Sequence, residues 1–141
     1  MQIPEQVRKL FEQRPLMYLA TVDGSGMPNV VPMLQYWWFN DDTMVIGDLF
    51  MKATRANVQA NGRVCISACG KGNEAFKLRG TASYETSGPA YDLANGELHR
   101  GSPDKDFRGV VVFRVTEVYD AAKGPDAGRL LVRVGEPPAD S

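Results

Sequence analysis

Three residues whose side chains bind phosphate well, Lys52, Thr54 and Arg55, lie close together in the sequence. We predict a short helix from about Met51 to Asn61, which places all three near its start. The first N–H groups of a helix have no partner inside the helix, and this end carries a partial positive charge. A lysine, a hydroxyl group and an arginine at that position therefore predict a phosphate site. The alternative is a solvated helix end that binds nothing.

The segments before this helix predict a pair of strands that lead into it. One strand runs from about Pro28 to Phe39, and the chain reverses at Asn40–Asp42 into a second strand, Thr43 to Gly47. Because Pro28 and Pro32 have no N–H donor, we expect them at a sheet edge or beside a ligand. A phosphate site next to a sheet edge indicates a nucleotide-like cofactor whose ring lies against the strands.

The rest of the chain predicts a mainly β protein with short peripheral helices. Period-2 patterns and turn residues indicate about six strands, and they do not alternate regularly with helices as in a parallel sheet. An antiparallel barrel, closed or nearly closed, is therefore the expected fold, since closure removes exposed strand edges. We expect one domain, residues 1–141, in which 120–141 form a tail on the surface or against a second subunit. The predicted strands are 16–22, 28–39, 43–47, 64–68, 76–85 and 109–119, and the helices are 4–13, 51–61 and one that opens at Ser87–Pro89.

Composition excludes several classes of protein. The chain has 141 residues and a net charge of −1, whereas nucleic-acid-binding proteins usually carry a basic excess. No apolar run approaches the length of a membrane span, and the first residues lack the apolar centre of a signal peptide. Cys65 and Cys69 would lie about 13 Å apart on one strand, too far for a disulfide. We therefore expect a cytoplasmic protein with reduced thiols and no metal site.

No catalytic side-chain constellation is evident. His99 is the only histidine, and it follows a predicted helix, where an interaction with the helix end is more common than catalysis. The adjacent Trp37 and Trp38 must point to opposite faces of their strand, so one should enter the barrel. If the protein is an enzyme, a bound cofactor would supply the redox chemistry, and we assign no catalytic residue.

Four segments in order resemble the FMN-binding split-barrel family related to pyridoxamine 5′-phosphate oxidase. They are LATVDGSGMPNVVPM (19–33), IGDLFMKATRANVQANGRVCIS (46–67), FKLRGTASYETSGPAYD (76–92) and GVVVFRVTEVYDAAKGPDAGRLL (109–131). The resemblance implies a six-stranded, Greek-key-like antiparallel split β-barrel. It also implies a homodimer that binds FMN where the subunits meet, and a role as an FMN-dependent oxidoreductase.

Carried over by position, the resemblance assigns eight residues to the FMN site. Val31, Pro32 and Met33 would border the flavin ring, and Gly47 and Asp48 would lie near it at the end of the next strand. The phosphate would be held by Lys52, Ala53 and Thr54.

Two departures from the family pattern bear on function. Ala53 stands where many relatives have a lysine, so either Lys52 reaches the phosphate or Arg55 replaces it. The final residues, GEPPADS, lack the Arg-containing motif of pyridoxamine 5′-phosphate oxidases, so we expect a different substrate. Alternatives are a non-catalytic flavin- or haem-binding module, a deazaflavin-dependent reductase, and a dimer without a cofactor.

Overall fold

The computed structural model describes residues 2–136 as one curled sheet with three short helices. In chain order the elements are α1 (Glu5–Glu12), β1 (Met17–Val22), β2 (Pro28–Met33), β3 (Tyr36–Trp38), β4 (Thr43–Asp48), α2 (Ala53–Ala60), β5 (Arg63–Cys69), β6 (Ala75–Glu85), α3 (Pro89–Gly101), β7 (Gly109–Asp120) and β8 (Leu130–Arg133). The predicted fold class, a mainly β antiparallel split barrel, is confirmed.

The strands follow the order β2-β1-β5-β6-β7-β4-β3, and every pair is antiparallel. The two edge strands, β2 and β3, are neighbours in the sequence and are separated only by Leu34 and Gln35. Since the three peptide units from Met33 to Tyr36 span at most about 11 Å, the edges must approach each other. The sheet therefore curls into a barrel, and the chain passes directly from one edge of the sheet to the other at residues 33–36. We call this crossing the seam.

The prediction of one continuous strand over residues 28–39 is wrong, because the structure divides this segment into β2 and β3. β2 pairs with β1, whereas β3 pairs with β4 at the other end of the sheet, so the chain must leave the first edge before it joins the second. Within the described residues the sheet consequently has eight strands rather than about six, and β8 is the other addition.

β8 comes from the predicted surface tail. It pairs with the second half of β7, beside the residues from Glu117 to Tyr119, and its Val132 is buried. The apolar piece of the tail thus packs on this chain's own sheet. The last part of the predicted tail, 137–141, lies outside the described residues.

Two apolar clusters lie on either side of β4. The larger fills the barrel and contains Met44 and Ile46, whereas the smaller contains Val45 and lies between the sheet and α3. All six residues of β4 are buried because α3 covers the face that points away from the barrel. α1 packs Val7 and Phe11 into the larger cluster.

A glycine, Gly62, lies between α2 and β5. Gly62 has a φ of +69°, and a Cβ atom there would lie 2.5 Å from the carbonyl oxygen of Ala82. Both the left-handed backbone and the close strand require glycine. This contact fixes α2 against β6. Among residues 2–136, no helix has the length and apolar character needed to cross a membrane.

Candidate cofactor-binding site

A cavity of about 790 Å³ lies at the seam. It is bordered by the end of β2, the Leu34–Gln35 linker, the end of β4 and the start of α2. Seven of the eight residues that the resemblance assigns to a cofactor line this cavity: Val31, Pro32, Met33, Gly47, Lys52, Ala53 and Thr54. The structure therefore brings together two groups of residues that are about twenty positions apart. Their role in binding stays a prediction.

One end of the cavity is the start of α2. Lys52 is the N-cap residue, it is exposed, and no side chain caps the helix by a hydrogen bond. The first N–H groups of α2 have no partner within the helix. The Thr54 hydroxyl accepts a hydrogen bond from Asn29 Nδ2 at 3.2 Å, so its own hydrogen can be donated elsewhere. This end offers an ammonium group, a hydroxyl group and backbone donors to an anion.

The other walls of the cavity are mainly apolar. Val31 and Met33 pack against the core on one side. Leu34 and Phe50 lie at the border and are 60% and 86% exposed. A flat ring with apolar faces would bury these side chains, and the cavity volume falls within the roughly 300–1,000 Å³ typical of small-molecule sites.

Arg55 does not line the cavity. Its guanidinium lies over the ring of Tyr84, 5.0 Å from the ring centroid, on the side of α2 that faces β6. Of the two basic residues that could compensate for Ala53, Lys52 is therefore the one beside the cavity.

Asp48 does not line the cavity either, although the resemblance assigns it to the site. Its carboxylate is fully buried and accepts hydrogen bonds from Tyr84 Oη, from Arg108 Nη2 at 3.0 Å and from Met51 N–H at 2.7 Å. Burial raises the pKa of Tyr84 to about 12, and the hydrogen bond to Asp48 contributes to the increase. Asp48 thus ties the loop at residues 49–52, which borders the cavity, to Tyr84 on β6 and to Arg108, which immediately precedes β7.

Gly47 has a structural reason to be glycine. A Cβ atom there would lie 2.2 Å from the ring of Phe107, which packs behind β4. Its N–H donates to the carbonyl oxygen of Gln35 at 3.0 Å, so this group holds the seam together. Gly47 therefore lines the cavity with backbone atoms only.

Sequence reasoning missed Asn29 and Gln35. Asn29 lies two residues before Val31, so the period-2 rule already places both on the same face of β2. No sequence pattern indicated Gln35. It lies at the cavity because the strand breaks between β2 and β3, and that break depends on which strands each of them pairs with.

Residues 3–122 match the family model described as pyridoxamine 5′-phosphate oxidase, and the chain belongs to this family. Among solved structures, HupZ of Group A Streptococcus superposes with a TM-score of 0.77 and 25% identity, covering 89% of this chain and 100% of that one. An FMN-binding protein of Syntrophomonas wolfei gives a TM-score of 0.74 and 18% identity, covering 84% and 85%. An F420 reductase gives a TM-score of 0.65 and 23% identity, covering 82% and 98%.

Proposed function

We propose that this protein binds FMN in the cavity at the seam and acts as an oxidoreductase. One observation carries the proposal: a cavity with apolar walls ends at an uncapped helix start that presents Lys52 and Thr54. An apolar slot with an anion site at one end matches a flat ring joined to a phosphate. Family membership and the FMN-binding relative add support.

In this proposal the chain supplies binding and orientation. Lys52, the N–H groups at Ala53 and Thr54, and the Thr54 hydroxyl hold the phosphate, while Val31–Met33 and Gly47 lie along the ring. Leu34 and Phe50 exclude water from one side of it. Bound FMN would supply hydride and electron transfer, and no side chain is assigned to the reacting atoms.

Replacement of Lys52 tests the phosphate assignment. Loss of a charge-assisted hydrogen bond costs about 1.5–3 kcal/mol, so Lys52→Ala should weaken FMN binding roughly 10- to 100-fold. Thr54→Val in the same chain should weaken it further. Binding is measured by quenching of flavin fluorescence during titration of the apoprotein.

Lys71→Ala is the matched control. Lys71 is exposed in the turn between β5 and β6 and does not line the cavity, so this variant loses the same charge elsewhere. The phosphate assignment is wrong if Lys52→Ala and Lys71→Ala bind FMN equally well.

We further propose that the protein is a homodimer with the cofactor near the subunit interface. Large apolar side chains are exposed on one side of β1 and β2 and continue to the border of the cavity. Tyr18 on β1 is 51% exposed and Val30 on β2 is 61% exposed. Leu16, just before β1, and Leu34, just after β2, are exposed too and line the cavity. Monomers rarely expose a contiguous apolar patch of this kind, and a second copy would cover it.

Val30→Asp tests the dimer. A buried carboxylate in the apolar contact should convert the dimer to a monomer, whereas Gln6→Asp on the exposed side of α1 should leave the mass unchanged. Sedimentation equilibrium measures both. A wild-type monomer at micromolar concentration contradicts the proposed interface.

Two alternative functions must be distinguished from an FMN-dependent oxidoreductase by experiment. The F420 reductase among the structural relatives favours a deazaflavin-dependent reductase, which would bind F420 more tightly than FMN. A non-catalytic module would bind its flavin, or haem, without turnover. Anaerobic mixing with NADH and NADPH distinguishes an enzyme from a binding module, because only an enzyme loses its visible flavin absorption rapidly and regains it with an acceptor.

We also propose a cytoplasmic location, with which the free thiols of Cys65 and Cys69 agree.

A further inference from the structure

A second cavity, of about 650 Å³, lies on the other side of the seam linker from the proposed cofactor cavity. Leu34 and Gln35 border both cavities, so the two are neighbours. The remaining walls come from the end of α1, from Trp37 on β3 and from the end of α3. We call it the arginine cavity, because Arg14 and Arg100 both line it.

The arginine cavity has an unbalanced positive charge. Arg100 Nη1 pairs with Glu97 Oε2 at 3.5 Å, and both side chains line the cavity. Within residues 2–136, Arg14 forms no ion pair, and its guanidinium instead lies over the Trp37 ring, 5.5 Å from the centroid. One guanidinium is therefore available to an anion.

The backbone of Arg14 is unusual for its residue type. It follows the end of α1 with a φ of +48°, the left-handed conformation that glycine or asparagine normally adopts after a helix. A residue with a side chain is disfavoured in this conformation. Stability alone would favour glycine at this position, yet the residue present is an arginine, which lines the cavity.

Trp37 provides a polar group without a partner. Its indole Nε1–H is buried and has no hydrogen-bond acceptor among the described residues, while its ring packs on Phe107 at 6.2 Å. An N–H dipole without an acceptor is costly in an apolar environment. Trp37 lines the adjoining cavity, so an anion there would lie beside this residue and could pair with the Arg14 guanidinium over its ring.

We propose that the arginine cavity binds the carboxylate or phosphate group of the molecule that reacts at the cofactor cavity. The apolar part of that molecule passes Leu34, and its anionic group pairs with Arg14. The assignment as a substrate rests on the proposed function, but binding of an aromatic anion here does not require a flavin.

Indole resonances of the ¹⁵N-labelled apoprotein provide the test. The chain has two tryptophans, so the spectrum contains two indole N–H signals, which a Trp38→Phe variant assigns. The Trp38 N–H donates to the Arg8 carbonyl oxygen at 3.2 Å and serves as an internal reference. The probes are naphthalene-2-carboxylate and its neutral counterpart, naphthalene-2-carboxamide.

We expect the carboxylate to shift the Trp37 signal saturably and more than the Trp38 signal, and the carboxamide to have little effect. Arg14→Gly should weaken carboxylate binding about tenfold or more, because it removes a charge-assisted bidentate contact. Its thermal stability should stay close to that of the wild type, since glycine suits the backbone there. Arg129→Ala, outside the cavity, should bind the carboxylate as the wild type does.

The proposal is overturned if no saturable shift occurs, if both probes shift the Trp37 signal equally, or if Arg14→Gly binds like the wild type. Because this titration contains no flavin, its failure is separate from a failure to bind FMN. A repeat with FMN-loaded protein shows whether both cavities are occupied together.

Discussion

The buried carboxylate of Asp48 should contribute several times more to the free energy of unfolding than an exposed carboxylate does. Asp48→Asn keeps the size of the side chain but removes its charge, and an NH₂ group in the place of Oδ2 cannot accept the hydrogen bonds that this oxygen receives from Tyr84 Oη and Arg108 Nη2. Breaking a fully buried ion pair costs about 3–5 kcal/mol. Since the Arg108 side chain is 44% exposed and can be hydrated again, we expect a loss of about 3 kcal/mol in the free energy of unfolding.

Urea unfolding followed by tryptophan fluorescence measures this loss, and the thermal midpoint should fall by roughly 10 °C. Asp126→Asn is the control, because the Asp126–Arg129 pair is 3.9 Å apart and both side chains are at least 60% exposed. Exposed pairs contribute at most about 1 kcal/mol. The loop at residues 49–52 should also exchange its amide hydrogens faster in Asp48→Asn. A loss under about 1 kcal/mol, or equal losses in both variants, would refute the reasoning.

Three further outcomes follow from contacts in the sheet and α3. Gly80→Ala should severely destabilise the fold, because its Cβ would lie 1.9 Å from the Arg114 carbonyl oxygen; thermal unfolding measures this. Gly96→Ala has open space within α3 and should stabilise by up to about 1 kcal/mol in the same assay. The raised pKa of Tyr84 means that the fold favours the neutral phenol, so stability should be full below about pH 10 and fall as the pH rises toward 12. The urea midpoint should fall less steeply over that range in Tyr84→Phe, and an equal slope would contradict this role.

Local signals in the sequence were sufficient for much of the fold. The hairpin after β1 follows from Asp23, whose carboxylate accepts hydrogen bonds from the N–H groups of Ser25 and Met27. Trp37 and Trp38 lie on opposite faces as predicted, Trp38 against the barrel core and Trp37 against the α3 cluster. The predicted position of His99 after the helix is wrong, because α3 continues to Gly101; His99 lies in its last turn and pairs with Asp106 at 2.8 Å.

Long-range partners could not be predicted in the same way. Arg108 is 60 positions from Asp48, and neither residue carries a local pattern that indicates the other. The break at Leu34–Gln35 and the pairing of β8 depend likewise on which strands become neighbours. The resemblance placed Asp48 at the cofactor because of its position in the sequence, whereas its side chain points to β6 and β7.

The seam also bears on when a ligand site can form. The two-residue linker keeps β2 and β3 close at every stage, but β2 pairs with β1 and β3 with β4, so the barrel around the seam closes only once the strands between β1 and β4 in the sheet have paired as well. Folds dominated by such distant pairings form in roughly milliseconds to seconds. A ligand that binds at the seam has no site until that last step. It should therefore leave the refolding rate unchanged and slow unfolding, so that the cofactor lengthens the lifetime of the folded state without guiding the chain toward it.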